Sequence, residues 1–154
     1  MGQVVIVDTS VFLNILDVPG KNQDRDATLD AFEEHIDAGD HLYLPLPCII
    51  ETGNHVAHLS NGHERYRFAA LFKQQVLTAI DGDAPWQPVP LLSEANDDLR
   101  RWLADFPNEA KSQVSMTDVT VKHLYAEFCR KFGMSTVRVW SLDGHLASLH
   151  RPTS

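Results

Sequence analysis

Four acidic residues occupy positions from which their carboxylates could act together: Asp8, Glu51, Asp118 and Asp143. Asp8 ends the apolar run VVIVD and Asp143 ends the similar run VRVWSLD, while Glu51 follows the apolar residues CII and Asp118 begins the segment DVTVKHL. Carboxylate oxygens are the ligands that hard divalent cations such as Mg²⁺ and Mn²⁺ prefer. The four acids are therefore candidate ligands of such a cation, provided that the fold brings them together.

The elements needed to position these acids alternate between strands and helices along the chain. Apolar, β-branched runs predict strands over residues 3–8, 41–47 and 136–143, and the proline-rich residues 81–92 predict a loop that enters a short edge strand. Apolar residues at helical spacing, with Ser93 as one cap, predict helices over residues 10–17, 25–38, 48–60, 61–80, 94–106 and 116–132. The alternation predicts one α/β domain spanning residues 1–154, with a mostly parallel central sheet flanked by helices.

A parallel sheet would bring acids from different strands to one edge. Ligands of open α/β sheets bind outside the carboxyl ends of the strands, so Asp8 and Asp143 are expected to lie close together. Two carboxylates about 5 Å apart repel each other by roughly 3 kcal/mol at an effective dielectric constant near 20, and a divalent cation would relieve this repulsion. Taken singly, Asp8 could instead cap the following helix, and Asp143 could open the turn at Gly144. Glu51 and Asp118 could stabilise helix dipoles, but the occurrence of four such acids favours a shared site.

The composition is that of an ordinary globular protein, with 44% hydrophobic and 22% charged residues. A net charge of −8 disfavours non-specific affinity for nucleic acids, although it does not exclude an enzyme that acts on them with bound cations. Cys48 and Cys129 lie far apart in the sequence, and neither a signal peptide nor an apolar run of about 20 residues is evident. These features predict a cytoplasmic protein that does not enter a membrane.

The segments around the four acids resemble the PIN-domain nucleases, a family that includes the toxins of bacterial toxin–antitoxin pairs. The resemblance is carried by VVIVDTSVFLNIL, LPLPCIIETGNHVA, SMTDVTVKHLYAEF and VWSLDGHLASL, which follow the family's order over nearly the whole chain. Residues 81–113 depart from the pattern, because they are longer and richer in proline than the compact toxins require. The resemblance implies a PIN-like fold with a metal site at the carboxyl edge of its sheet.

The activity implied by this resemblance is that of an Mg²⁺- or Mn²⁺-dependent endoribonuclease, which hydrolyses RNA phosphodiester bonds. Its catalytic and metal-binding residues would be Asp8, Glu51, Asp118 and Asp143. Ser10 would hydrogen-bond a carboxylate or a metal-bound water, or else cap the first helix, and Asn14 would support the same edge. Toxin-like members of the family form homodimers and are inhibited by a small antitoxin, so both assemblies are expected here.

Other residues admit further interpretations. Basic residues on two predicted helices could guide RNA: Arg65, Arg67, Lys73, Lys122, Arg130 and Lys131. Three aromatic residues could contact a partner, although core packing would also explain them: Trp86, Trp102 and Phe106. Glu51, His55 and His58 share a helical face that could bind zinc, but the HExxH pattern of metalloproteases is absent.

Several other classes of function compete with an active nuclease. The strongest is a PIN-like interaction or regulatory module, whose acids would bind metal without turnover. A receiver-like phosphoacceptor also gathers aspartates at strand ends, but the sequence lacks the paired acids expected after the first strand. Serine hydrolases and nucleotide-binding folds are disfavoured, since the chain contains neither GxSxG nor a glycine-rich phosphate loop.

Overall fold

A computed structural model of the chain describes residues 2–89 and 95–152 and contains a five-stranded sheet. The strands are β1 (Val4–Val7), β2 (His41–Pro45), β3 (Trp86–Val89), β4 (Val137–Trp140) and β5 (His150–Arg151). Their spatial order is β3-β2-β1-β4-β5; the first four are parallel, and β5 is antiparallel to β4. This arrangement confirms the predicted α/β class with a mostly parallel sheet, while the antiparallel strand β5 was not predicted.

The helices flank the sheet. They are α1 (Thr9–Ile15), α2 (Arg25–Asp37), α3 (Leu46–Ala57), α4 (Gly62–Ile80), α5 (Ala95–Lys111), α6 (Met116–Lys131) and α7 (Gly144–Ala147). Six of them match predicted helices, with α5 extending further than predicted, and the short helix α7 was not predicted. Gly39 follows α2 with a positive φ of 70°, a conformation that glycine adopts readily, and the Asn61 side chain caps α4. The predicted cap Ser93 lies outside the described residues. Within the described ranges, no helix is long and apolar enough to cross a membrane.

Helix α5 is longer than predicted, because Pro107 lies within it rather than beyond its end. Proline removes one backbone hydrogen bond from a helix interior and usually kinks or ends the helix. Two side-chain contacts hold α5 to α6 on either side of Pro107: Asp105 Oδ2 lies 2.7 Å from His123 Nε2, and Glu109 Oε2 lies 2.8 Å from Lys122 Nζ. These tertiary contacts help to offset the local cost, which the sequence pattern alone could not show.

The sheet is buried on both faces, as the apolar run at the start of the chain predicts. Val5 and Val7 pack into one hydrophobic core with residues of α1, α3 and α4, while Val4 and Ile6 pack into a second core with residues of α6 and β4. Trp86 is only 3% exposed and belongs to the first core, so it does not form the exposed interface that was considered for it. Burial on both faces leaves the strand ends as the places where polar side chains can gather.

The strand order places the carboxyl ends of β1 and β4 side by side. The chain moves outward from β1 to β2 and β3, and then returns to the opposite side of β1 to form β4. Such a reversal leaves a crevice at the carboxyl ends of the two strands, where ligands of open α/β sheets bind. Asp8 directly follows β1 as predicted, but β4 ends at Trp140, so Asp143 lies beyond the strand rather than at its last residue.

Candidate functional site

The four predicted acids line one open cavity of about 540 Å³ at the carboxyl edge of the sheet. Ser10 and Asn14 line the same cavity, as the sequence suggested for both. Its wall also includes polar and charged residues that were not singled out from the sequence: Thr9, Lys21, Gln23, Asp24, Gln113 and Ser115. The fold therefore brings together residues from both ends and the middle of the chain.

Asp8 occupies the N-cap position of α1, yet its side chain makes no capping hydrogen bond. Its Oδ2 instead accepts hydrogen bonds from the hydroxyls of Ser141, at 2.7 Å, and Ser10, at 3.1 Å. Burial raises the pKa of Asp8; the hydrogen bonds from Ser141, the Thr9 backbone and Ser10 oppose this rise, and the charge of Glu51 adds to it. Helix capping therefore does not explain the carboxylate of Asp8, which is only 4% exposed.

Ser10 and Ser141 connect the ends of β1 and β4. The Ser10 hydroxyl accepts a hydrogen bond from the backbone N–H of Leu142 at 3.0 Å, and the Ser141 hydroxyl accepts one from the backbone N–H of Asp143 at 2.9 Å. Ser10 lies inside the first turn of α1, so it makes the expected carboxylate hydrogen bond and does not cap the helix. The two hydroxyls thus fix the segment that carries Asp143 relative to Asp8.

Asp143 is the N-cap residue of α7. Its Oδ1 accepts a hydrogen bond from the backbone N–H of His145 at 2.9 Å, so it does open the turn at Gly144. Capping uses only part of the acceptor capacity of a carboxylate, which has two oxygens and about four lone-pair sites. The structural role of Asp143 is therefore compatible with a further contact in the cavity.

Glu51 lies in the second turn of α3, whose first turn contains no acid, so stabilisation of the helix dipole does not explain it. Its Oε2 accepts a hydrogen bond from the Thr9 hydroxyl at 3.2 Å, and its Oε1 lies 3.8 Å from Nε2 of His55. His58 Nδ1 lies 2.6 Å from the backbone oxygen of Asn54 at the end of α3. Because no three His, Cys, Asp or Glu side chains within residues 2–89 and 95–152 are placed to hold a metal ion, the zinc site considered from the sequence is not supported.

Asp118 lies in the first turn of α6, and its backbone N–H donates to the capping hydroxyl of Ser115 at 3.1 Å. The pKa of its carboxyl is raised from 3.8 to about 6, first by burial and then by the negative charges of Asp8, Asp143 and Glu51. A position in the first helical turn accounts for an acid here. The helix position does not explain why Asp118 lies among three other acids, whose charges make its ionised form unfavourable.

The donor set fits a hard divalent cation in its chemistry, because all four side chains are carboxylates whose mutual repulsion a cation would relieve. Among residues 2–89 and 95–152, no group of three or more His, Cys, Asp or Glu side chains is placed to hold a metal ion. Binding an ion would therefore require these carboxylates to move closer together.

The six basic residues proposed to guide RNA do not line this cavity. Arg130 and Lys131 instead line a second cavity, of about 370 Å³, between α5, α6 and the ends of β2 and β3. Lys21 was missed, because it lies in the segment VPGKNQD, which the sequence marked only as a helix break. A search for basic residues close in sequence to Asp8, rather than on long helices, could have found it.

Comparisons with known proteins support the fold. No family model matches the chain, and no curated protein matches it. Among solved structures, the chain is similar to FitAB bound to the IR36 DNA fragment, with a TM-score of 0.55 and 19% identity, over 94% of this chain and 89% of that chain. The similarity spans nearly the full length of both chains and supports a PIN-like fold; at this identity it shows the fold alone.

Proposed function

We propose that this chain is a divalent-metal-dependent ribonuclease that hydrolyses RNA phosphodiester bonds. The observation that carries the proposal is the convergence of Asp8, Glu51, Asp118 and Asp143 on one cavity, where burial and the charges of the other three acids raise the pKa of Asp118 to about 6. Crowding like charges is costly for stability, and carboxyls with perturbed pKa values in a cleft are typical of functional sites. The position of the cavity, at the point where the strand order reverses, supports the same conclusion.

The four acids would hold one or two Mg²⁺ or Mn²⁺ ions. Such an ion, when bound, activates water for attack and stabilises negative charge on the phosphate and the leaving oxygen. Asp8 is the best-positioned ligand, because the hydroxyls of Ser10 and Ser141 hold its carboxylate in place. Glu51, fixed by the Thr9 hydroxyl, would hold a second ion or orient the attacking water.

We also propose that the protein acts as the toxin of a toxin–antitoxin pair, as a homodimer whose cavity a small antitoxin covers. The resemblance of the sequence to PIN-domain toxins supports this proposal, and the PIN-like fold is compatible with it. A neighbouring gene for a small DNA-binding protein, whose product forms a complex with this chain and blocks its activity, is the expected finding. A monomer that binds no such product would contradict it.

The direct test of the ribonuclease is cleavage of defined RNAs by purified protein with Mn²⁺ or with EDTA. We expect cleavage only with Mn²⁺, and we expect Asp8→Asn to abolish it, because the amide keeps the shape of the side chain but removes its charge. Asp30→Asn is the matched control, since it removes one exposed negative charge from α2, away from the cavity. Its cleavage rate should equal that of the wild type.

A second measurement separates metal binding from turnover. Mn²⁺ at about 100 times its Kd should stabilise the wild type by about 2.7 kcal/mol, and this gain should be lost in Asp8→Asn. Unchanged cleavage by Asp8→Asn would exclude this site. Stabilisation by Mn²⁺ without cleavage of any RNA would instead support a PIN-like interaction module that binds metal without turnover.

A further inference from the structure

A polynucleotide substrate would have to enter a cavity whose wall is strongly negative. Asp24 adds a fifth carboxylate to the four acids described above. Of the lysine and arginine side chains in the part of the chain that the structure describes, Lys21 alone lines this cavity. The net charge of −8 adds long-range repulsion, so phosphate binding needs a cation located at the cavity itself.

The loop between α1 and α2, which carries Lys21, is held on both sides. Val18 is fully buried at its base, and its backbone N–H donates to the backbone oxygen of Leu13 at 3.1 Å. The backbone N–H of Lys21 donates to the oxygen of Val18 at 2.9 Å, and that of Asp24 donates to Oδ1 of Asn14 at 3.0 Å. The fold therefore fixes the backbone from which Lys21 extends.

Asn14 connects this loop to the acidic site. Its side chain is buried, and its Nδ2 donates to the backbone oxygen of Ser10 at 2.9 Å, while its Oδ1 holds the Asp24 end of the loop. One amide thus fixes both the turn that carries Ser10 and the loop that carries Lys21. The position of Lys21 relative to Asp8 follows from this connection.

The ammonium group of Lys21 is available to a ligand. Its side chain is exposed, and within residues 2–89 and 95–152 it has no hydrogen bond or ion pair, whereas Lys122 is paired with Glu109 at 2.8 Å. We propose that Lys21 binds a backbone phosphate of the RNA substrate at the mouth of the acidic cavity. This inference rests on the proposed ribonuclease function and adds a substrate-binding residue to it. A lysine suits the role, because it is a compact charge on a flexible stem and accepts a phosphate from many directions.

The inference is tested by replacing Lys21 in two backgrounds. In the wild-type background, Lys21→Met should raise KM for a fluorescein-labelled single-stranded RNA about tenfold and leave kcat within about twofold. In the Asp8→Asn background, binding of the same RNA is measured by anisotropy at several salt concentrations, and Lys21→Met should reduce the slope of log K against log salt by about 0.7. Lys21→Arg should restore both quantities, since it keeps the charge. Arg100→Met is the matched control, because Arg100 is an exposed basic residue on α5 that does not line the cavity.

Each outcome decides between the inference and the function on which it rests. If the wild type cleaves RNA and Lys21→Met leaves KM and the salt slope unchanged, or changes them no more than Arg100→Met does, the inference is wrong and the ribonuclease stands. If no RNA is cleaved but the salt slope depends on Lys21, the ribonuclease is wrong and the phosphate site stands. If RNA is neither cleaved nor bound, both are wrong.

Discussion

Two buried aspartates lie at opposite ends of the parallel strands, and their surroundings differ in kind. Asp40 precedes the amino end of β2, with a side chain only 3% exposed. Its Oδ1 accepts a hydrogen bond from the backbone N–H of Gln3 at 2.7 Å, and its Oδ2 lies 2.6 Å from Nδ1 of His35. Each oxygen of Asp40 meets a donor, so stability of the fold is enough to explain why an acid is buried there.

Asp8, at the carboxyl end of β1, also accepts hydrogen bonds, but all of them come from neutral groups: the hydroxyls of Ser10 and Ser141, the Thr9 backbone and the Cys48 thiol at 3.9 Å. The nearby charge that affects its pKa is Glu51, another acid, which adds to the rise caused by burial. The amino edge thus surrounds its acid with a backbone N–H and a histidine ring nitrogen, whereas the carboxyl edge sets acids against one another. A buried acid indicates function when its charged neighbours are other acids, and of these two aspartates Asp8 meets that condition.

The largest effects are expected when Asp40 and Asp8 are each replaced by asparagine, which removes the charge of the acid at one end of the strands. Asp40→Asn should lower the free energy of unfolding by about 2–3 kcal/mol, since it weakens buried hydrogen bonds to a charged group, and should leave RNA cleavage intact. Asp8→Asn should leave the free energy of unfolding unchanged or raise it, because it removes a buried and uncompensated charge. Urea unfolding of both variants at neutral pH with EDTA measures the difference. Equal destabilisation by the two substitutions would show that the two ends are alike.

A smaller effect is expected from the titration of Asp118, which makes the free energy of unfolding depend on pH. Its pKa in the folded protein is about 6, against an ordinary value of 3.8, so between these values the folded state binds a proton that the unfolded chain does not. The resulting stability is fully present below about pH 4 and is lost as the pH rises through 6. Asp118→Asn should therefore exceed the wild type in stability by on the order of 1–2 kcal/mol near pH 7.5, and match it near pH 3.5.

The control for this prediction is Asp26→Asn. Asp26 is also a first-turn acid, at the start of α2, but it is exposed and does not line the cavity. Its removal should cost about 0.3–1 kcal/mol near pH 7.5, because a favourable helix-dipole contact is lost without relief of repulsion. If Asp118→Asn lost stability as Asp26→Asn does, Asp118 would act only by stabilising the dipole of its helix, and the repulsion from the other acids would be insignificant.

The fold could be predicted largely from local signals in the sequence. The run VVIV is continuous because β1 is buried on both faces, and that continuity distinguishes a central parallel strand from an edge strand. Asn61 and Gly39 mark helix ends through backbone chemistry that acts within a few residues. Such signals predict the alternation of strands and helices. The alternation in turn predicts a parallel sheet, at one edge of which the acids meet.

The parts that could not be predicted depend on contacts between distant segments. Ser141 lies 133 residues from Asp8, and nothing in its own neighbourhood distinguishes it from an ordinary serine after a strand. Pro107 signals a helix end locally, but the side-chain contacts between α5 and α6 favour a continuous helix. Lys21 lies at the cavity because hydrogen bonds through Val18 and Asn14 hold its loop there. The relative placement of the four carboxylates could not be predicted either, since it depends on how side chains from four segments are oriented.

The smallest expected effect concerns the hydroxyl that joins the two strand ends. Ser141→Ala removes a hydrogen-bond donor from Asp8 and an acceptor from the backbone N–H of Asp143, which should cost about 1 kcal/mol in the free energy of unfolding. It should also raise the pKa of Asp8 further, because the hydrogen bond from Ser141 lowers that pKa. Ser112→Ala, at an exposed serine, should change neither stability nor cleavage. If Ser141→Ala were as stable and as active as the wild type, the Ser141 hydroxyl would not be needed to hold Asp8 in place. The hydrogen bonds of Asp8 would then not contribute to its difference from Asp40.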